Sequence, residues 1–285
     1  MTAALRKRGL DWLLNAYAGL ALIYLLMPIA VIIVFSFNDP IGRFNFVWEQ
    51  FSLDAWKHPF AVQGVGDALK TSIEIAALST VIATALGTLT ALALVRYEFK
   101  GRSPVNFFIF IPLATPEVVL GAALLSQFLN WGTPQLGFAT ILIAHVMFNL
   151  SFVVITVRSR LIGFDRSLEE AAQDLGATPW ETFRLVTLPL IMPGVAAAAL
   201  LAFALSIDDF VITNFNSGST ITFPLFIWGA ARVAVAPQIY VIATMIFLFT
   251  VAMMILTVWQ QRRAERMAAV RPDDTELAAL EPAPA

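Results

Sequence analysis

Hydrophobic positions do not alternate along this chain; they run on. Uninterrupted apolar stretches fall at about 12–37, 70–95, 105–130, 138–157, 191–214 and 236–259, and the charged residues collect in the connections between them. About 20 apolar residues in helical conformation span a bilayer, and helices satisfy their own backbone polar groups there. The pattern therefore predicts an all-α polytopic membrane protein with six transmembrane helices. Residues 12–260 form the membrane domain, preceded by a short N-terminal segment (1–11) and followed by a tail (261–285), acidic and Pro/Ala-rich after Met267, that is expected to be disordered. The first run is too long for the 7–15-residue core of a signal peptide, and no A-x-A site follows it, so it reads as an uncleaved helix.

Two connections are substantial. Residues 38–66 hold the aromatic-rich FNFVWEQFSLDAWKHPF. Residues 158–190 contain two helix starts. Ser167 with Glu170 and Thr178 with Glu181 have the spacing of capping boxes, Pro179 stands at a first helical position, and Gly176 stands where a left-handed residue ends the first helix. This predicts helix, glycine elbow, helix, with Pro189 breaking the pattern before the fifth span. Leu168, Ala171, Ala172 and Leu175 make one face of the first helix and Trp180, Phe183 and Thr187 one face of the second. A short amphipathic element of this kind buries itself either on its own bundle or in a groove of a partner.

Composition agrees with the membrane reading: 59% of the residues are hydrophobic and 13% charged, against about 25% charged in soluble domains. With the N-terminus inside, 14 Lys and Arg fall on the cytoplasmic side and four (Arg43, Lys57, Lys70 and Arg232) outside, which predicts N-in/C-in topology and puts the 158–190 segment in the cytoplasm. There is no cysteine, which removes disulfides and thiolate chemistry. No metal site is expected. No G-x-x-x-x-G-K-[ST] sequence occurs, so the chain is not expected to bind ATP itself.

Ionisable residues inside spans mark functional sites by default. Glu117 in the third span follows PLATP, where Pro112 and Pro116 are expected to kink the helix. Asp208 and Asp209 lie side by side in the fifth, within SIDDFVITNF; His145 lies in the fourth. Glu117 and Asp208 are each about 13–14 residues from the cytoplasmic end of their span, or about 20 Å at 1.5 Å per residue, so they share a level. Adjacent helical positions point about 100° apart, so either each aspartate lines a different side of a wide cavity or one faces a pathway and the other bonds to a neighbouring helix. Ser206, Thr213 and Asn214 supply further polar groups. Carboxylates with aromatics suit a cation carrying several amines, held weakly enough to move on.

The stretch EAAQDLGATPWETFRLVTLPLIMPG resembles the EAA loop of ABC-importer permeases: Glu170, Ala171, Ala172, Gly176, Leu188 and Pro189 match without a gap. SFND, RYEFKG, TPEVVLG, SRLIGFD, LSIDDFVITNF and PLFIW are similar to the spermidine/putrescine permeases, in particular the second of their two permease subunits. The resemblance implies a type I importer permease fold and a non-catalytic subunit of the bacterial inner membrane. It implies a polyamine substrate, a homologous second permease, two ATP-binding subunits that carry the ATP and Mg, and an extracytoplasmic binding protein. Nucleic acid is not among the expected partners. Glu170, Ala171, Ala172, Asp174, Gly176, Ala177, Trp180 and Phe183 are then the expected coupling residues toward the ATPase, and Glu117, Asp208, Asp209 and Ser206 the expected pathway residues. A permease for another cation or small organic solute is the alternative. An ion-coupled transporter and an intramembrane aspartyl protease are more distant ones: no inverted repeat and no G-x-G-D sequence is evident.

Overall fold

The structure is a computed structural model and describes residues 2–42, 44–132 and 135–269. It is helical: α1 (Thr2–Phe35), α2 (Asp54–Lys57), α3 (Val65–Arg96), α4 (Arg102–Ala114), α5 (Glu117–Asn130), α6 (Phe138–Ile162), α7 (Ser167–Asp174), α8 (Pro179–Thr182), a π-helical turn (Phe183–Thr187), α9 (Leu188–Ile207), α10 (Val211–Asn216), α11 (Phe223–Val233) and α12 (Pro237–Ala269). Among the described residues there is no strand beyond two isolated bridges, Asn38–Phe51 and Phe44–Val235. Among the described residues four helical stretches are long and apolar enough to cross a membrane, or five when the bent pair α4–α5 is counted as one span. The sixth predicted span is α12, whose apolar part is Pro237–Ala252. That helix runs on through the Gln260–Ala269 stretch, QQRRAERMAA, instead of giving way to the expected disorder; Gln, Arg, Glu, Met and Ala are all strong helix formers. The tail from 270 onward, with Arg43 and Arg271 of the charge count, lies outside the described residues.

The chain divides into two compact units, Met1–Val62 with Val233–Ala285, and Gln63–Arg232. In the first, α1 and α2 each pack on α12. The SFND asparagine organises its loop: Asn38 Nδ2 donates to Asn45 Oδ1 (2.6 Å) and to the Val47 carbonyl (2.8 Å), while its Oδ1 accepts from the Glu49 amide (2.8 Å). Trp48, Phe51 and Phe60 stay exposed beside it.

In the second unit α6 is the central wall. One apolar cluster joins α3 (Ala83, Ala91, Leu92, Leu94), α6 (Val153, Val154, Val157, Leu161) and α9 (Ile191, Ala198, Ala202). Another joins α5 (Leu120, Leu124, Phe128), α6 (Ala144, Phe148) and Ile212 of α10. The first is close-set because α3 offers Gly87: a Cβ there would lie 2.5 Å from Val153 Cγ1.

The expected proline kink occurs at Pro116, while Pro112 and Pro189 leave their helices unbroken. In the third span the chain turns by 113° between α4 and α5. Thr115, the residue before Pro116, is extended (φ −87°, ψ 132°), as the proline ring demands of its predecessor; Pro112 stays within α4. Pro189 does not break the helix at all, and Pro179–Ile207 forms one continuous helical stretch. The misfit is absorbed just before it by the π turn, in which the Leu188 amide reaches back to the Phe183 carbonyl. Such wide turns accommodate a local register change without ending a helix.

Candidate functional site

The fifth span is discontinuous at the two aspartates. α9 ends at Ile207, Asp208 takes the C-cap position, and α10 starts at Val211. The 100° separation expected for a continuous helix therefore does not apply: the backbone itself changes course between the two carboxylates. Irregular backbone at membrane depth is tolerated where it is packed in protein or lines a cavity; here the Asp209 side chain is packed in protein and Asp208 is exposed.

Asp209 is packed in protein, its side chain 6% exposed. Its Oδ2 accepts the Thr213 amide and the Thr213 hydroxyl, both at 2.8 Å, and its Oδ1 accepts the Ile212 amide at 3.4 Å. Asp209 thus satisfies N-terminal amides of α10 that the cap residue Phe210 cannot. His145 Nε2 lies 3.3 Å from Asp209 Oδ2 and 2.9 Å from Thr213 Oγ1. The Thr213 proton is already directed at the carboxylate, so Nε2 carries a hydrogen and donates. In the neutral ring Nδ1 then accepts from the Ser206 hydroxyl at 2.6 Å, and Ser206 Oγ receives Ser79 Oγ of α3 at 3.0 Å. A buried carboxylate is tolerable when hydrogen-bonded, and here Oδ2 carries the close bonds while Oδ1 has one longer one. Its partner is an imidazole, not a second carboxyl, so the proton-sharing dyad of an aspartyl protease is absent at Asp209.

Asp208 is exposed, and among the described residues no side chain of opposite charge pairs with it. Phe210, two residues on, packs its ring against Trp228 of α11 at 5.1 Å, and Arg232 stacks over the same indole at 4.6 Å. Glu117 is exposed too, at the first position of α5 immediately after the break in the third span. Of the four residues expected along a pathway, two are open to solvent at breaks in their helices, while Asp209 and Ser206 are buried in the network beneath. Sequence alone pointed to Thr213 only as a nearby polar group and to His145 only as an ionisable residue within the fourth span, and it did not single out Ser79. The signal that could have joined them is that Ser79, His145 and Thr213 are polar residues in otherwise apolar helical runs.

The segment between α6 and α9 folds as helix, elbow, helix. Gly176 has φ +90°, in the left-handed region, and the Thr178–Glu181 box is complete: the Thr178 amide and hydroxyl donate to Glu181 Oε2, each at 2.8 Å, and the Glu181 amide donates to Thr178 Oγ1. These bonds, the amide first, hold the Glu181 carboxyl below its ordinary range. The Ser167–Glu170 box does not form. Ser167 is itself the first helical residue, with Arg166 at the cap, and the Ser167 amide donates to Asp165 Oδ1 at 3.0 Å. Asp165 arrives one turn position earlier and takes the bond, which lowers its own pKa.

Expected coupling residues fall on two sides. Glu170, Ala171, Asp174, Gly176 and Trp180 are exposed, beside Leu175 at 90%. Ala172 and Ala177 are half-buried and line, with Leu185 and Val186, a hollow of about 430 Å³ at the elbow. Phe183 turns inward against the α3–α6–α9 cluster. The residue preceding the EAA run, Glu169, also faces inward: it is bonded to Arg96 at the end of α3 and to Thr187 of the π turn.

Residues 83–266 match the family described as binding-protein-dependent transport system inner membrane component. The chain is 39% identical over 233 residues to the spermidine/putrescine transport system permease protein PotC of Escherichia coli K12, covering 81% of this chain and 87% of that one. It is 36% identical over 247 residues to the PotC of Haemophilus influenzae (86% and 95% covered). It is 38% identical over 231 residues to the putrescine transport system permease protein PotI of E. coli K12 (78% and 81%). In fold it is similar to a bacterial ABC transporter involved in import of the acidic polysaccharide alginate, with TM-score 0.63 at 17% identity over 89% of this chain and 96% of that one. An amino acid ABC transporter is similar with TM-score 0.56 at 18% identity (75% and 100%). With its helical fold and most of its length matched, the chain belongs to the family of binding-protein-dependent transport system inner membrane components.

Proposed function

We propose that this chain is a permease subunit of an ATP-driven importer and forms half of the pathway by which polyamines such as spermidine and putrescine cross the inner membrane. The observation that carries the reading is the exposed, unpaired Asp208 at the break in an apolar span, matched by exposed Glu117 at the break in another. Leaving a carboxylate unneutralised in a span costs at least about 2.5–3.5 kcal/mol, a cost that a passing ammonium group offsets. Methylene segments between the amines pack on aromatic faces such as Phe210 and Trp228, with a cation–π contribution. Two carboxylates on separate helices make a relay of weak sites, which is what passage requires.

Both termini lie in the cytoplasm in this reading, from the distribution of Lys and Arg. The exposed face of α7 and the elbow, with Leu175 and Trp180 standing out, docks into an ATP-hydrolysing subunit, helix into groove; ATP and Mg belong to that partner. A second, homologous permease completes the pathway. An extracytoplasmic binding protein delivers the substrate; an alginate ABC transporter of similar fold is known in complex with a periplasmic protein bound to an alginate pentasaccharide.

The test is uptake of radiolabelled spermidine and putrescine by the assembled importer in vesicles, with other cations and organic solutes as competitors. Asp208→Asn and Glu117→Gln each lower uptake tenfold or more and leave assembly with the ATPase intact. Full uptake in both variants overturns the pathway role, and uptake blocked by a non-amine solute overturns the substrate class.

A further inference from the structure

Adjacent aspartates in a transport path invite the reading that both meet the cation, and the geometry points elsewhere. We propose that Asp209, His145 and Thr213 form a positioning latch that fixes the turn from α9 into α10 and so presents Asp208 to the polyamine, Asp209 itself never meeting substrate; this rests on the reading of Asp208 as a pathway carboxylate.

Three observations carry it. The Asp209 carboxylate is engaged within the protein: Oδ2 receives the Thr213 amide and hydroxyl at 2.8 Å with His145 Nε2 at 3.3 Å, and Oδ1 receives the Ile212 amide at a longer 3.4 Å. An arriving ammonium would have to displace the bonds that start α10. Second, the latch is anchored outside the fifth span. His145 is 3% exposed, flanked on α6 by Ala144 and Phe148 of an apolar cluster, and held from the far side by Ser206, which Ser79 of α3 supports in turn. The ring cannot swing away without opening packed helices. Third, α10 is also packed closely against α5, where a Cβ at Gly121 would come within 2.7 Å of the Phe215 ring. The turn that carries Asp208 is thus set by α3, α5 and α6, while Asp208 alone of the pair stays exposed.

The chain contains no cysteine, so a single introduced thiol is its only one. In membranes with the complete importer, the probe is the cationic reagent methanethiosulfonate ethyltrimethylammonium. The Asp208→Cys variant reacts at least tenfold faster than Asp209→Cys. Adding Thr213→Val, which keeps the volume and removes the hydroxyl, changes the Asp208→Cys rate threefold or more; Thr213→Ser, which keeps the hydroxyl, does not. In uptake, Thr213→Val costs about tenfold with the spermidine-to-putrescine ratio unchanged, Thr213→Ser restores it, and Thr213→Val adds no loss to Asp208→Asn. Equal labelling at 208 and 209, or a Thr213→Val variant with ordinary labelling and uptake, overturns the latch while leaving the pathway reading in place. Ordinary uptake by Asp208→Asn overturns the pathway reading and the latch with it.

Discussion

Glu169, not the neighbouring Glu170, ties the coupling segment to the membrane helices, and neutralising it should loosen that segment. Glu169 bonds Arg96 and Thr187 with only 15% of its side chain exposed, against 26% for Arg96. Hydrogen bonds to charged groups are worth about 1.5–3 kcal/mol each, and partial exposure on the arginine side screens part of that. Glu169→Gln keeps the shape and one weaker bond, so the expected loss is about 1–2 kcal/mol, or roughly a 5–30-fold rise in the opened population at 1.4 kcal/mol per tenfold. Between Gly163 and Thr187 the basic residues are Arg166 and Arg184, one on each side of α7 and the elbow. Cleavage there by trypsin tracks the open population when closing outruns cutting. In detergent-solubilised protein, cleavage at Arg166 and Arg184 therefore speeds about tenfold in Glu169→Gln and in Arg96→Gln. Glu170→Gln, at an exposed position, leaves it unchanged. Rates within twofold of the parent for both Glu169→Gln and Arg96→Gln would refute the tether.

Gly87→Ala places a Cβ against Val153, and such overpacking costs about 1–3 kcal/mol; the thermal midpoint falls by several degrees in a detergent melt and is regained on adding Val153→Ala. Thr178→Ala removes a cap worth about 1 kcal/mol and the hydroxyl bond to the Glu181 carboxyl while keeping the amide bond, so the Glu181 midpoint rises part of the way to its ordinary value in a carboxyl-carbon NMR titration. The sign follows from the lowered pKa: the box stabilises α8 fully above the unfolded value of Glu181 and is lost as pH falls through the folded one, and this acid loosening is smaller in Thr178→Ala, which keeps only the amide bond.

The four long spans were legible because an apolar run of twenty residues has few alternatives. So was the elbow, since Gly176 and the Thr178–Glu181 spacing specify local geometry. What the sequence pattern missed was competition among nearby groups. Asp165 reached the Ser167 amide before the Ser167–Glu170 box could form. Pro189 found a register shift available in the preceding turn, so the helix survived it. At the candidate site, the two aspartates were visible but their division of labour was not: it depends on His145, 64 positions before Asp209 in the chain, and on Ser79 further still. Only packing brings these together, and no local spacing encodes it.

α10 has six residues, and isolated helices below about 12–15 residues are marginal in water even with favourable sequences. Its persistence is therefore wholly borrowed from neighbours, through one carboxylate, one imidazole and the α5 contact. In the language of folding units, it is a dependent piece with a small opening free energy of its own, grafted onto a three-helix unit with a large one. On warming or in mild denaturant this piece should let go while α3, α6 and α9 still hold together, so that the setting of Asp208 would be lost before the bundle is.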